Sequence, residues 1–166
     1  MDAVYKKLEQ AFTEDAANTD NPLQRSIAEF YALMMKTLYY KWRLPLDIWE
    51  AYKESDKRAL QVLIEKKIKP LKTALAETAK ARRRVWMEEC RGFGSEVLDH
   101  RFGAMLMRLE VTQEVLTDYI QGKITQIDEL EEERLDPCPE SDKMLEPQAV
   151  RYNRALRIMT ACRETW

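Results

Sequence analysis

Turn-forming residues are scarce in this chain: 4 glycines and 6 prolines among 166 residues. An all-β fold needs a turn roughly every eight to twelve residues, so the scarcity excludes sandwiches and barrels and points to an all-α protein. Histidine is scarcer still, with His100 alone. A di-iron bundle needs two Glu-x-x-His motifs and two further glutamates, so that chemistry is excluded. A Ser-His-Asp or Cys-His machine would have to use His100, and no nucleophile stands near it in sequence. Cys90, Cys138 and Cys162 are far apart, odd in number and form no CxxC. They predict reduced thiols and a cytoplasmic protein rather than disulfides or a zinc site. Phosphate loops of the GxGxxG and Walker types are missing, and neither a cofactor nor a metal is expected. Without a run of about 18 apolar residues, no segment is expected to span a bilayer. The opening MDAVYKKLEQ is too charged for a signal peptide. The formal net charge of −2 gives no overall pull towards nucleic acid or an anionic membrane.

Apolar residues make up 45% of the chain, enough for one domain with a real hydrophobic core. Val4, Leu8 and Phe12 recur at helical spacing and predict a first helix over 2–15. AANTDNP then interrupts it. Asn21-Pro22 predicts a helix start: Asn caps free amides, Pro needs no donor at the first position, and Gln24 stands where a capping box wants it. The helix after it is expected to bury Ile27, Phe30, Tyr31, Met34, Leu38 and Trp42. Pro45 ends that helix and opens the next, with Leu46, Trp49 and Tyr52 inward. Ser55 or Asp56 caps a long helix over about 57–90. Its stripe is Leu60, Leu63, Ile64, Ile68, Leu71, Leu75, Ala79 and Trp86. Pro70 lies inside it and predicts a kink near 66–70, with a full break there as the alternative.

RGFGS (91–95) reads as a tight reversal. A second long helix follows over 96–121, carrying Leu98, Phe102, Met105, Leu109, Thr112, Leu116 and Tyr119, and ending at Gly122. The two long helices should form an antiparallel hairpin within a bundle of shorter flanking helices. An acidic, proline-bearing stretch over about 128–147 predicts an irregular connection, with a last helix over 148–161. The whole 1–166 reads as a single α-helical domain.

Several charged groups read as solvated faces. Lys80, Arg82, Arg83 and Arg84 form a basic run that Glu88 and Glu89 can pair with at helical spacing, so nucleic acid is not expected. The acid pairs Glu14-Asp15, Glu88-Glu89 and Asp128-Glu129, and the run Glu131 to Glu133, lack the pocket that glycoside hydrolysis demands. FGSEVLDHRFG (93–103) is less ordinary. Phe93, Glu96, Asp99 and Arg101 fall within a glycine loop and two helical turns. Acids in a first turn are favoured by the helix dipole. Arg101 adjoins buried-type residues and is expected to be partly covered against a carboxylate. The cluster is the candidate for a domain interface or for the rim of a neighbour's pocket.

The same segment carries a resemblance. Trp86, Phe93, Gly94, Glu96, Val97, Asp99, Arg101 and Gly103 follow a W…PFG-x-E-V-x-D-x-R-x-GG pattern. Asp118, Tyr119, Gly122, Lys123, Ile124, Ile127, Glu129, Leu130 and Glu131 to Glu133 follow D-Y-L-x-G-K-I-x-x-I-x-E-L-E-E-E. LPLDIWEAYKESDKRAL upstream and YNRALRIMTAC downstream fit the same series, which covers about 24–162. In this order the motifs resemble the C-terminal helical domain of bacterial family-20 β-N-acetylhexosaminidases. Gly92, Ala104 and Ala155 depart from the pattern. The resemblance implies a parent enzyme whose (β/α)8 barrel holds an adjacent Asp-Glu pair and uses the substrate's own 2-acetamido group. No position here matches that pair, so this chain is expected to be non-catalytic. Its implied partners are the parent's barrel and, through dimerisation, a second copy, with an apolar patch left open where the barrel belongs. An independent helical adaptor, suited to a partner helix by the wide stripe over 27–42 and by 8 methionines, is the other reading.

Overall fold

The computed structural model describes residues 2–90 and 92–132, and those through Glu131 form one compact unit. The regular structure of the described residues is all helical, with no strand among them. The order is α1 (Asp2–Asn18), α2 (Pro22–Lys41), α3 (Leu44–Lys53), α4 (Lys57–Leu63), a π turn (Ile64–Ile68), α5 (Lys69–Glu89), α6 (Glu96–Ile120) and a short α7 (Asp128–Glu131). The all-α fold and both long helices are therefore as expected: α4, the π turn and α5 run on without a break from 57 to 89. The predicted helix over 148–161, most of the irregular connection, Cys138 and Cys162 lie outside the described residues, so the single-domain expectation extends beyond them.

Side-chain registers fix the directions of the helices. Phe12 stacks on Tyr31 at 5.3 Å and Tyr5 meets Trp42 at 6.1 Å, so α1 and α2 run antiparallel. Ser26 donates to Glu88, Arg84 pairs with Glu29, and the hydroxyls of Thr37 and Thr78 bond at 2.8 Å, so α2 and α5 also run antiparallel. Lys72 with Glu110, and Arg83 with Asp99, set the same sense between α5 and α6.

Local chemistry explains the boundaries. Asn21 Oδ1 accepts from the amides of Leu23 and Gln24, capping α2 ahead of Pro22. The capping box is not closed: Gln24 accepts from the Thr19 hydroxyl instead. Asp56 accepts from Ala59 N at 2.9 Å and starts α4. Pro70 has no N–H and crowds the carbonyl of Lys66. The chain answers with a widened turn, in which Lys69 N–H donates to Ile64 O, so a π turn stands where the kink was expected.

The core lies at one end of the bundle. Leu44, Ile48, Ala51 and Tyr52 of α3 pack with Leu60, Ile64, Ile68 and Leu71, with Leu116 and Tyr119 of α6, and with Ile127. Leu46 and Trp49, expected inward on α3, are half-buried. The α2 stripe differs more. Ser26, Ala28, Ala32, Met35 and Thr37 are its buried residues, whereas Tyr31 and Trp42 are exposed. Small residues let α2 and α5 approach closely, facing Ala74, Thr78 and Ala81. The bulky aromatics are displaced towards the seam with α1.

Candidate functional site

The α5–α6 hairpin presents the sequence-selected cluster. Gly94 adopts φ 93°, the left-handed conformation that the reversal requires and that glycine adopts freely. Ser95 Oγ donates to Gly92 O at 2.8 Å, and Gly94 N donates to Glu96 Oε2 at 2.8 Å. The Glu96 carboxylate thus braces the loop that precedes its own helix. Phe93 lies at the tip and is 91% exposed.

Two of the four candidate residues, Glu96 and Asp99, line one open hollow on α6, whereas Phe93 and Arg101 do not. Asp99 turns towards α5 and pairs with Arg83 at 3.4 Å. Glu96 turns back to Gly94. Arg101 lies on the other flank of α6, exposed, with no carboxylate partner among the described residues. The expectation of a covered, paired Arg101 is corrected: α6 meets its neighbours through Leu98, Phe102, Leu109 and Leu116, and Arg101 falls outside that arc. The basic run is likewise rearranged. Arg84 pairs with Glu29 and Arg83 with Asp99, while Arg82 lies over the rings of Phe30 and Trp86. The predicted pairing with Glu88 and Glu89 is absent among the described residues.

Outward from the bundle, α6 carries a shallow open hollow lined by Glu96, Asp99, His100, Gly103, Ala104 and Met107. Val97, Met107 and Val111 are exposed along the same side. Among the described residues no three His, Cys, Asp or Glu side chains come together as a metal site would require. No described helix is long and apolar enough to cross a membrane.

A second feature was not foreseen. The Tyr52 hydroxyl donates to Glu131 Oε1 at 2.5 Å and accepts from Ile127 N at 3.1 Å. Lys53 Nζ reaches the other oxygen of Glu131 at 2.9 Å. The Lys53 ammonium, and then the Tyr52 hydroxyl, hold the Glu131 carboxyl below its ordinary value. The bond to Glu131 pushes the Tyr52 phenol up. These groups fasten residues 127–131 onto α3. They serve the fold.

The sequence model described as the Glycoside Hydrolase 20C C-terminal domain matches residues 1–149. The chain belongs to this family. No curated protein sequence matches it. As a glycoside hydrolase 20C C-terminal domain, it is the helical, non-catalytic part of a glycoside hydrolase. The hairpin motif and the Asp118–Glu133 stretch that carried the resemblance both lie inside the matched residues.

Proposed function

We propose that this domain packs on the catalytic barrel of a family-20 β-N-acetylhexosaminidase and also joins two copies of that enzyme. The parent would remove terminal N-acetylglucosamine or N-acetylgalactosamine by substrate-assisted hydrolysis on its barrel. The family match over residues 1–149 carries the reading. The hairpin tip supports a docking role. Burying a phenylalanine side chain contributes about 1.5–3 kcal/mol, and Phe93 forgoes nearly all of it here. Met87 on α5, near Gly92 of the same loop, is exposed as well. We assign the tip to the barrel, with Phe93 as its anchor.

The test compares Phe93→Ser in two settings. In the 166-residue chain the substitution should leave the melting temperature unchanged, because Phe93 touches little. In the polypeptide that joins this domain to its barrel it should lower the melting temperature by several degrees, about 2–4 °C per kcal/mol lost. An unchanged melting temperature in the longer polypeptide would remove the tip from the interface.

A further inference from the structure

The inward stripe of α5 outruns its cover. Leu71, Leu75, Arg82 and Trp86 recur at steps of four and seven, so they share one face of the helix. Both leucines are buried. Further towards the hairpin, the same face carries a guanidinium and an indole, each half-buried.

The Arg82 guanidinium lies over the ring of Phe30 on α2, 5.8 Å from its centre, and over that of Trp86 on its own helix, at 5.3 Å. Both separations fall within the roughly 6 Å over which a ring face attracts a cation. These contacts steady the side chain without neutralising its charge. Arg82 makes no hydrogen bond or ion pair among the described residues. The acids around it are held by other groups: Glu29 by Arg84, Asp99 by Arg83 and Glu88 by the Ser26 hydroxyl. Half-covering a guanidinium removes part of its water, and an acceptor is needed to offset that loss. A planar fork steadied beforehand gives up little freedom on meeting a carboxylate, which it grips through parallel bonds to both oxygens.

Trp86 links this group to the hairpin tip. A Cβ built at Gly94 would stand 3.5 Å from Trp86 Cζ2, so the indole lies against the loop that carries Phe93. Arg82 therefore adjoins the surface assigned to the barrel. Arginine and tryptophan are also among the residues that dominate the energetics of protein interfaces.

We infer that Arg82, steadied on Phe30 and Trp86, receives a carboxylate from the barrel of the parent enzyme. The acceptor is the side chain of an aspartate or glutamate on the barrel's surface, held through both oxygens. This rests on the barrel contact proposed above and adds to it a charged partner of stated sign.

Phenylglyoxal, which condenses with accessible guanidinium groups, reads the contact. In the 166-residue chain Arg82 should react readily, followed by mass spectrometry of its peptide. In the polypeptide that joins the domain to its barrel, the Arg82 rate should fall by about tenfold or more. Arg82→Lys separates pairing from mere cover, because it keeps a charge but loses the fork. It should lower the melting temperature of the joined polypeptide by several degrees more than that of the 166-residue chain. Equal reactivity of Arg82 in the two polypeptides overturns the proposal. Protection with equal melting shifts also overturns it, since the barrel would then cover Arg82 without supplying a carboxylate. Protection already complete in the 166-residue chain does the same, by placing the acceptor within the chain. Phe93→Ser reads the tip independently. If it destabilises the joined polypeptide while Arg82 stays reactive, the tip contact stands and this inference falls. If it is neutral while Arg82 is protected and Arg82→Lys destabilises, the tip contact falls and this inference stands.

Discussion

Tyr52 shows how one buried hydroxyl ties two distant segments together. It donates to Glu131 across 79 residues and accepts from the amide of Ile127, while its ring packs on Tyr119 at 5.1 Å. Tyr52→Phe keeps the ring but leaves the Ile127 amide without an acceptor. It should cost about 1–3 kcal/mol, measured by urea denaturation. Glu131 adds a pH dependence of known sign. Its folded carboxyl titrates below its unfolded value. The associated stability is therefore complete above the ordinary carboxylate range and is lost as pH falls through the lower, folded value. Urea midpoints recorded against pH should fall on acidification, and Glu131→Gln should flatten that part of the profile. An identical acid limb in both proteins would contradict the role given to Glu131. None of this was legible in the sequence, where Glu131 reads as one of three solvated acids. No local spacing reveals a bond between residues so far apart.

Helix ends were far more legible, because caps are local. The expected long helices, 57–90 and 96–121, are observed over 57–89 and Glu96–Ile120. Asn21, Asp56 and Gly122 mark boundaries for reasons their own side chains, or the lack of one, supply. At both Ser55 and Gly122 the helix closes with paired bonds. Asp56 N donates to Ala51 O and Ser55 N to Tyr52 O; Lys123 N donates to Asp118 O and Gly122 N to Tyr119 O. The residue between must be left-handed, and Ser55 adopts φ 55° where glycine is the common solution. Ser55→Gly should therefore stabilise the chain by up to about 1 kcal/mol. Gly122→Ala should destabilise it by about 1 kcal/mol. An added Cβ at Gly122 meets nothing within 4 Å, so that cost is conformational and not steric. Denaturant midpoints with unchanged slopes check both signs. The faces of the helices were harder to read. On α2 the hydrophobic pattern favoured its aromatics, but close approach to α5 favours alanine, and packing distance is not written in periodicity.

At the scale of the molecule, the apolar and polar surface is unevenly completed. The end holding α3, α4 and Ile127 has a continuous core, whereas the hairpin end leaves Phe93, Val97, Met107 and Val111 in water. Family membership was legible from the order of motifs along the chain. The geometry of the candidate cluster was not, because Glu96 and Asp99 share one face of α6 while Arg101, equally close in sequence, lies on another flank. General acid–base work needs ionisable groups held around one substrate position away from bulk water, and the hollow that Glu96, Asp99 and His100 line is shallow and open. The direct measurement is release of chromophore from a 4-nitrophenyl N-acetyl-β-D-glucosaminide by the purified 166-residue chain. The account predicts a rate equal to that of buffer. Turnover that co-purifies with the chain and disappears on thermal unfolding would contradict it.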